Sequence, residues 1–222
     1  MNTPPIVLNS FRLLLIFSSS LAITLRAAEP KDSDDPESTG LEITVGITPT
    51  CPYGMTACWQ SAAQAVAKLE RVQKVASVPD AYNCTAQVWL KAGAGLPDLK
   101  KWQEHFRAMV GESYVFRGVE ATLAGKLEQK KGALILQSEA LAQPIRLVSL
   151  KNKMQWNFAK QRARGPEEDE QTACEQLEVA IKAAKDKPLE VRVTGPIQDS
   201  DGGTVLEVRE FFTLTPYKHS GY

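Results

Sequence analysis

The pattern of hydrophobic and polar residues along this chain first becomes regular at residue 41. From residue 41 to residue 48, aliphatic side chains alternate with polar or small ones, as in a strand with one buried face. Apolar residues then recur at spacings of three and four as far as Val72, which predicts a helix with Thr56 as its N-cap. Two strands joined by a Pro-Asp turn, a second helix and a further strand follow, ending at residue 118.

The order of elements predicts the fold class. Over residues 41–118 it is strand, helix, strand, strand, helix, strand, which predicts a split βαβ domain of the ferredoxin-like βαββαβ type. Residues 119–213 contain three strands, a helix and two strands, which is the order of a small OB-like β-barrel. The strands are placed at 119–129, 133–138, 144–150, 189–198 and 204–212, and the helix near Pro166. We therefore predict an α+β protein with a ferredoxin-like domain followed by an OB-like domain.

The two ends of the chain have other patterns. Residues 1–28 combine an arginine, a short apolar run and small residues at the end, which is typical of a secretory signal peptide. The apolar run is too short to cross a bilayer comfortably, so we expect no stable membrane span after its removal. Residues 29–40 hold five acids and no aliphatic residue and predict a flexible acidic linker, while residues 214–222 predict a loosely ordered tail.

Composition and charge restrict the partner and the compartment. Loss of residues 1–28 removes Arg12 and Arg26 and no acid, so the 26 basic and 26 acidic residues become 24 and 26. A mildly acidic exported protein, periplasmic or extracellular, argues against nucleic acid as the partner. Its cysteines are expected to be in an oxidising compartment, where disulfides persist.

Two of the four cysteines lie in the segment TPTCPYGMTACWQS, residues 48–61. Cys51 and Cys58 bracket a Pro-Gly loop, and a disulfide between them would tie strand to helix and contribute about 2.5 kcal/mol. A soft-metal site and a redox-active pair are the open alternatives. Cys84, which shares a strand face with aliphatic residues, is expected to pack in the core or to bridge to Cys51, and Cys174 is expected to be a buried thiol.

The segment VGITPTCPYGMTACWQSAAQAVAKLERVQKV, with the strand pair after it, resembles the heavy-metal-associated domains that carry copper and other soft metals. In that family a GMTCxxC loop joins a strand to a helix. The helical register places Cys58 at the second metal cysteine and Met55 at the first. The resemblance covers residues 41–118 and implies capture of monovalent copper by Cys58 with Met55, with Cys51 as a third sulfur. Thiolate at a helix start and thioether both suit this ion.

Residues 151–164 interleave basic and aromatic side chains. The residues that we expect to contact a partner are Trp156, Phe158, Lys160, Arg162 and Arg164. On an OB-like barrel such a segment suits a single-stranded nucleic acid, an oligosaccharide or an acidic partner. The alternative is a solvated loop whose aromatic side chains pack over the end of the barrel.

No sequence pattern indicates catalysis. The chain has only His105 and His219, and it lacks GxGxxG, Walker, HExxH and GxSxG motifs. We therefore predict an exported non-enzymatic binding protein that binds a soft metal, copper(I), through the Met55/Cys58 loop. The competing hypothesis is an interaction module without a working metal site that binds a protein partner through residues 151–164.

Overall fold

A computed structural model of the chain describes residues 40–184, 188–200 and 203–214. The predicted signal peptide at 1–28 lies outside these residues, as do the acidic linker at 29–40 and the tail at 214–222 apart from their residues 40 and 214. None of the helices in the described ranges is long and apolar enough to cross a membrane.

The first part of the fold is a four-stranded antiparallel array with two helices. Its elements are β1 (Glu42–Pro49), α1 (Gly54–Val66), β2 (Val72–Val75), β3 (Thr85–Leu90), α2 (Leu99–Val110) and β4 (Tyr114–Lys130). The strands lie in the order β4-β1-β3-β2, and every neighbouring pair is antiparallel. Helix α1 contacts β1, β2 and α2, and α2 contacts β4. The element order is the one predicted for residues 41–118.

The second part is a closed circuit of strands. Its further elements are β5 (Ala133–Gln137), β6 (Ile145–Ser149), β7 (Trp156–Asn157), β8 (Arg162–Ala163), α3 (Glu168–Ala183), β9 (Leu189–Ser200), β10 (Gly203–Val208) and β11 (Glu210–Thr213). The circuit runs β4-β5-β6-β10-β9 and returns to β4. Strands β6 and β10 are parallel, and the other neighbours in the circuit are antiparallel. Strands β7 and β8 form a separate small hairpin.

Strand β4 belongs to both parts. The predicted boundary between residues 118 and 119 falls within it. Ala121 of β4 is paired with Ile43 of β1 on one side and with Gly195 of β9 on the other. The result is an α+β fold with one large mixed sheet of nine strands, and the described residues all belong to one compact unit.

The alternation that predicted β1 buries Ile43, Val45 and Ile47 beneath the two helices, together with Trp102 and Phe106 of α2. In the second part, alternate residues of β4 and β9 point into the circuit. The buried side chains there include Leu123, Leu127, Leu136, Val191, Val193 and Leu206. Burying these apolar surfaces is the main favourable contribution to folding. Cys84 and Cys174 are both buried free thiols, so Cys84 packs in the core and does not bridge to Cys51.

Both predicted ends of helix α1 are wrong. Helix α1 begins at Gly54 after the N-cap residue Tyr53, so Thr56 is inside the helix and is not its cap. The same helix ends at Val66, and Val72 belongs to β2 because the chain turns between them, with Arg71 at a positive φ of 70°. The apolar spacing continued past the turn because Leu69 and Val72 remain buried after the helix has ended.

Candidate functional site

The cysteine loop lies between β1 and the first turns of α1. Cys51 and Cys58 are joined by a disulfide, which is the first of the pairings considered from the sequence. Met55 lies on the buried face of α1 and is 3% exposed. In this state the two cysteine sulfurs are bonded to each other and are not thiolates, the form in which cysteine binds metals.

The residues predicted to contact a partner lie on a short hairpin. We define the basic hairpin as residues 155–164, which contain β7, β8 and the turn between them. Trp156 pairs with Ala163 and Asn157 with Arg162. The Asn157 Oδ1 atom accepts a hydrogen bond of 3.0 Å from the backbone N–H of Lys160, which closes the turn.

The basic hairpin packs on the first part of the fold. The backbone N–H of Trp156 donates to the carbonyl of Asn83 at 2.9 Å. Arg164 stacks on Tyr82, with its guanidinium carbon 3.8 Å from the ring centroid, and donates to the Tyr82 carbonyl at 2.8 Å. A Cβ atom added to Gly54 would lie 3.6 Å from Cε1 of Phe158. Trp156 and Phe158 are therefore half-buried, and they pack against the core instead of standing free in solvent.

A half-buried arginine lies beneath the hairpin. The Arg117 guanidinium lies 5.5 Å from the centroid of the Trp156 ring and donates to the carbonyls of Met154 at 3.1 Å and Cys84 at 2.8 Å. It also donates to the hydroxyl of Thr48. Burial lowers the pKa of Arg117 to about 10, so the side chain still carries its charge at neutral pH.

The chain that leads into the hairpin is fixed by acids of the second part. The buried carboxylate of Glu207 accepts the backbone N–H of Lys151 at 2.9 Å. The ammonium of Lys153 is buried and lies 2.7 Å from Glu170 of α3. Because both acids are themselves buried, these contacts hold residues 151–153 in one place and position the hairpin.

Two cations of the hairpin remain available for a partner. Lys160 and Arg162 are exposed and form no salt bridge with any residue that the structure describes. They line a cavity of about 470 Å³ together with Lys153, Asn157, Arg164 and Glu167. Four of these six side chains are basic and one is acidic, so the arrangement is suited to binding an anion.

Sequence reasoning missed two exposed tyrosines, one in contact with Arg164 of the hairpin and one directly before Gly54, which lies close to Phe158. Tyr53, directly before Gly54, is 80% exposed, and Tyr82, beneath Arg164, is 72% exposed. Both lie in turns of the first part, and their proximity to the hairpin depends on contacts between distant segments. No spacing in the sequence could have indicated it.

The site therefore combines a disulfide loop, a basic hairpin packed against it and two exposed tyrosines. In the described residues, no three His, Cys, Asp or Glu side chains are grouped as they would be around a metal ion. Comparison of the chain with models of protein families, with curated proteins and with solved structures found no match.

Proposed function

We propose that the protein is a non-enzymatic binding module that engages an acidic protein partner. The contact surface, which we call the basic–aromatic surface, consists of Tyr53, Tyr82, Lys160, Arg162 and Arg164. The observation that carries the proposal is the stacking of Arg164 on Tyr82 at 3.8 Å. This contact fixes the hairpin against the first part, while Lys160 and Arg162 of the same hairpin remain exposed.

The chemistry of this surface is that of a protein interface. Tyrosine and arginine are enriched at interfaces, because a ring supplies contact area and a guanidinium supplies directed hydrogen bonds. Lys160 and Arg162, which form no salt bridge within the described ranges, lie on a chain whose formal net charge is zero. The positive field is therefore local to the hairpin, and it would attract an acidic surface and orient it.

We also propose that the fold is a ferredoxin-like βαββαβ unit joined to an OB-like barrel. The strand order β4-β1-β3-β2 supports the first assignment. The circuit β4-β5-β6-β10-β9, with its parallel pair β6–β10 and with α3 between β6 and β9, supports the second. The basic hairpin then lies in the connection between the third barrel strand and the barrel helix.

The test is binding of a fluorescent glutamate-rich peptide, followed by anisotropy at low and high salt. The double variant Lys160→Ala/Arg162→Ala should weaken binding about tenfold at low salt, since two favourable charge contacts are lost. The matched control is Lys130→Ala/Lys131→Ala, which removes the same charge from the turn between β4 and β5. Equal losses in both variants, or no binding at low salt, would contradict the proposal.

Copper capture by the reduced protein is the second candidate. The observation that favours it is the contact between the sulfurs of Cys51 and Cys58, since reduction would leave two thiols side by side near the start of α1. Copper(I) is offered to the reduced protein in competition with a chromogenic chelator. One equivalent taken up by the wild type and by Cys174→Ala, but not by Cys58→Ala, supports capture. Equal uptake by Cys58→Ala excludes this site.

A further inference from the structure

We infer that the cavity beside the basic hairpin binds a single tetrahedral oxyanion, the phosphate or sulfate ester group of a modified side chain on the acidic partner. The inference rests on the proposed function, because the cavity opens on the basic–aromatic surface. It adds to that function a defined chemical group and a defined position. The residues that carry it are Lys160, Arg162 and Arg164, with Asn157 as a neutral donor.

The hairpin brings its polar side chains to one cavity. Asn157 and Arg162 are directly paired across β7 and β8, and Lys160 is tied to Asn157 through the turn hydrogen bond of 3.0 Å. All three line the cavity of about 470 Å³. Guanidinium groups match the geometry of phosphate and sulfate oxygens, and an ammonium adds charge without a fixed direction.

Arg164 holds its charge at the wall of the cavity. Its two terminal nitrogens donate to the hydroxyl and the carbonyl of Tyr82, at 3.1 Å and 2.8 Å. These contacts fix the guanidinium, and the side chain lines the cavity. An anion seated there would meet a cation that is already held in place, so little side-chain freedom is lost on binding.

The acids near the cavity favour a compact anion over an extended one. Glu167 forms part of the lining, and Glu168 and Asp169 follow in the first turn of α3. The charge of Lys153 is already compensated by Glu170 at 2.7 Å. A long polyanion leaving the cavity toward α3 would meet these carboxylates and be repelled. A single ester group held by Lys160, Arg162 and Arg164 would not.

Three peptides of one acidic sequence test the inference by calorimetry. Their central residue is tyrosine, O-phosphotyrosine or O-sulfotyrosine. We expect at least one ester to bind about tenfold more tightly than the tyrosine peptide, and the preferred ester identifies the modification. Arg162→Ala, which removes an exposed side chain that forms no salt bridge with the described residues, should abolish this gain. Arg164→Lys should reduce it, because lysine keeps the charge but lacks the planar guanidinium that the two hydrogen bonds to Tyr82 hold in place.

The controls separate failure of the inference from failure of the proposed function. Arg146→Lys, a matched change of an exposed arginine on β6, should leave the gain intact. If all three peptides bind equally and still depend on Lys160 and Arg162, the oxyanion site is refuted and the acidic-partner function stands. If no peptide binds, both are refuted. A gain that persists in Arg162→Ala, with folding verified by circular dichroism, also refutes the site.

Discussion

The guanidinium of Arg209 donates two hydrogen bonds to the carboxylate of Glu120, one to each oxygen and both of 3.0 Å. Glu120 is 5% exposed and lies in the stretch of β4 that is paired on both sides. Arg209 also lies 3.5 Å from Glu170 of α3. Burial lowers the pKa of Arg209, but the charge of Glu120 and its hydrogen bonds outweigh that effect and raise the pKa overall. Arg209 therefore keeps its charge, and the pair ties the segment between β10 and β11 to the strand that both parts of the fold share.

Removal of one partner of this pair should be strongly destabilising. Arg209→Met leaves the carboxylate of Glu120 buried without its main counter-charge. We expect the free energy of unfolding to fall by about 3–5 kcal/mol, which is typical for a broken buried ion pair. Urea unfolding followed by far-ultraviolet circular dichroism measures the change.

An exposed pair serves as the control. Lys101 lies 3.2 Å from Asp98, but both side chains are largely in solvent. Lys101→Met should therefore change the free energy of unfolding by less than about 1 kcal/mol. If Arg209→Met also lowered the free energy of unfolding by less than about 1 kcal/mol, the Glu120 carboxylate would not depend on Arg209 for its burial.

A second prediction concerns the cysteine loop. A non-reducing peptide map of purified protein should recover Cys51 linked to Cys58 and both Cys84 and Cys174 as free thiols. Opening this short loop by Cys51→Ala/Cys58→Ala should lower the free energy of unfolding by about 2.5 kcal/mol in the chain-entropy model. Recovery of a linkage that involves Cys84, or four free thiols, would contradict the assignment. The N-terminal residue of protein recovered from an exporting host tests the predicted signal peptide in the same experiment.

A third prediction concerns the close approach of two strands. A Cβ atom added to Gly195 of β9 would lie 1.6 Å from the carbonyl oxygen of Glu207 in β10. Because that oxygen belongs to the backbone of the strand circuit, it has little room to move. Gly195→Ala should cost about 3 kcal/mol. At Gly165 an added Cβ meets nothing within 4 Å, and Gly165→Ala should stay within about 0.5 kcal/mol of the wild type.

A fourth prediction follows from the buried thiols. Burial raises the pKa of Cys84 and Cys174 above the ordinary value of 9.0. At alkaline pH the unfolded chain therefore loses thiol protons that the native protein retains, and stability falls as pH rises through and beyond 9.0. Compared with the wild type under reducing conditions, Cys174→Ala should show a smaller loss of unfolding free energy on alkalinisation. An identical loss in the two proteins would show that the Cys174 thiol does not contribute to the pH dependence of stability.

The fold was predictable wherever one short-range pattern decides it. Alternation placed β1, and the predicted strands at 119–129 and 133–138 placed the end of β4 and the start of β5 to within one residue. The alternation of hydrophobic and polar residues did not predict strand bounds that depend on pairing with a neighbouring strand. Residues 204–212 were predicted as one strand, but Arg209 separates β10 from β11, and the two strands pair with β9 in registers that differ by one residue. The continuity of β4 across the predicted boundary likewise depends on its pairing with both β1 and β9.

The candidate site was only partly predictable. Basic and aromatic residues at 151–164 indicated an interaction segment, and the structure brings Lys160 and Arg162 to its exposed edge. It also buries much of Trp156 and Phe158, for which the sequence left open both partner contact and packing over the end of the barrel. Three further residues come from turns and strands far away in the chain: Tyr53, Tyr82 and the half-buried Arg117. Their meeting depends on tertiary contacts that no local spacing encodes.

The seventeen residues of β4 also determine how the protein can assemble during synthesis. The ribosome releases the chain from its N-terminus, so β1 to α2 emerge first and can receive the start of β4 as their edge strand. The remainder of β4 then extends from a strand that is already anchored. It provides a template on which β5, and later β9, can be added in register.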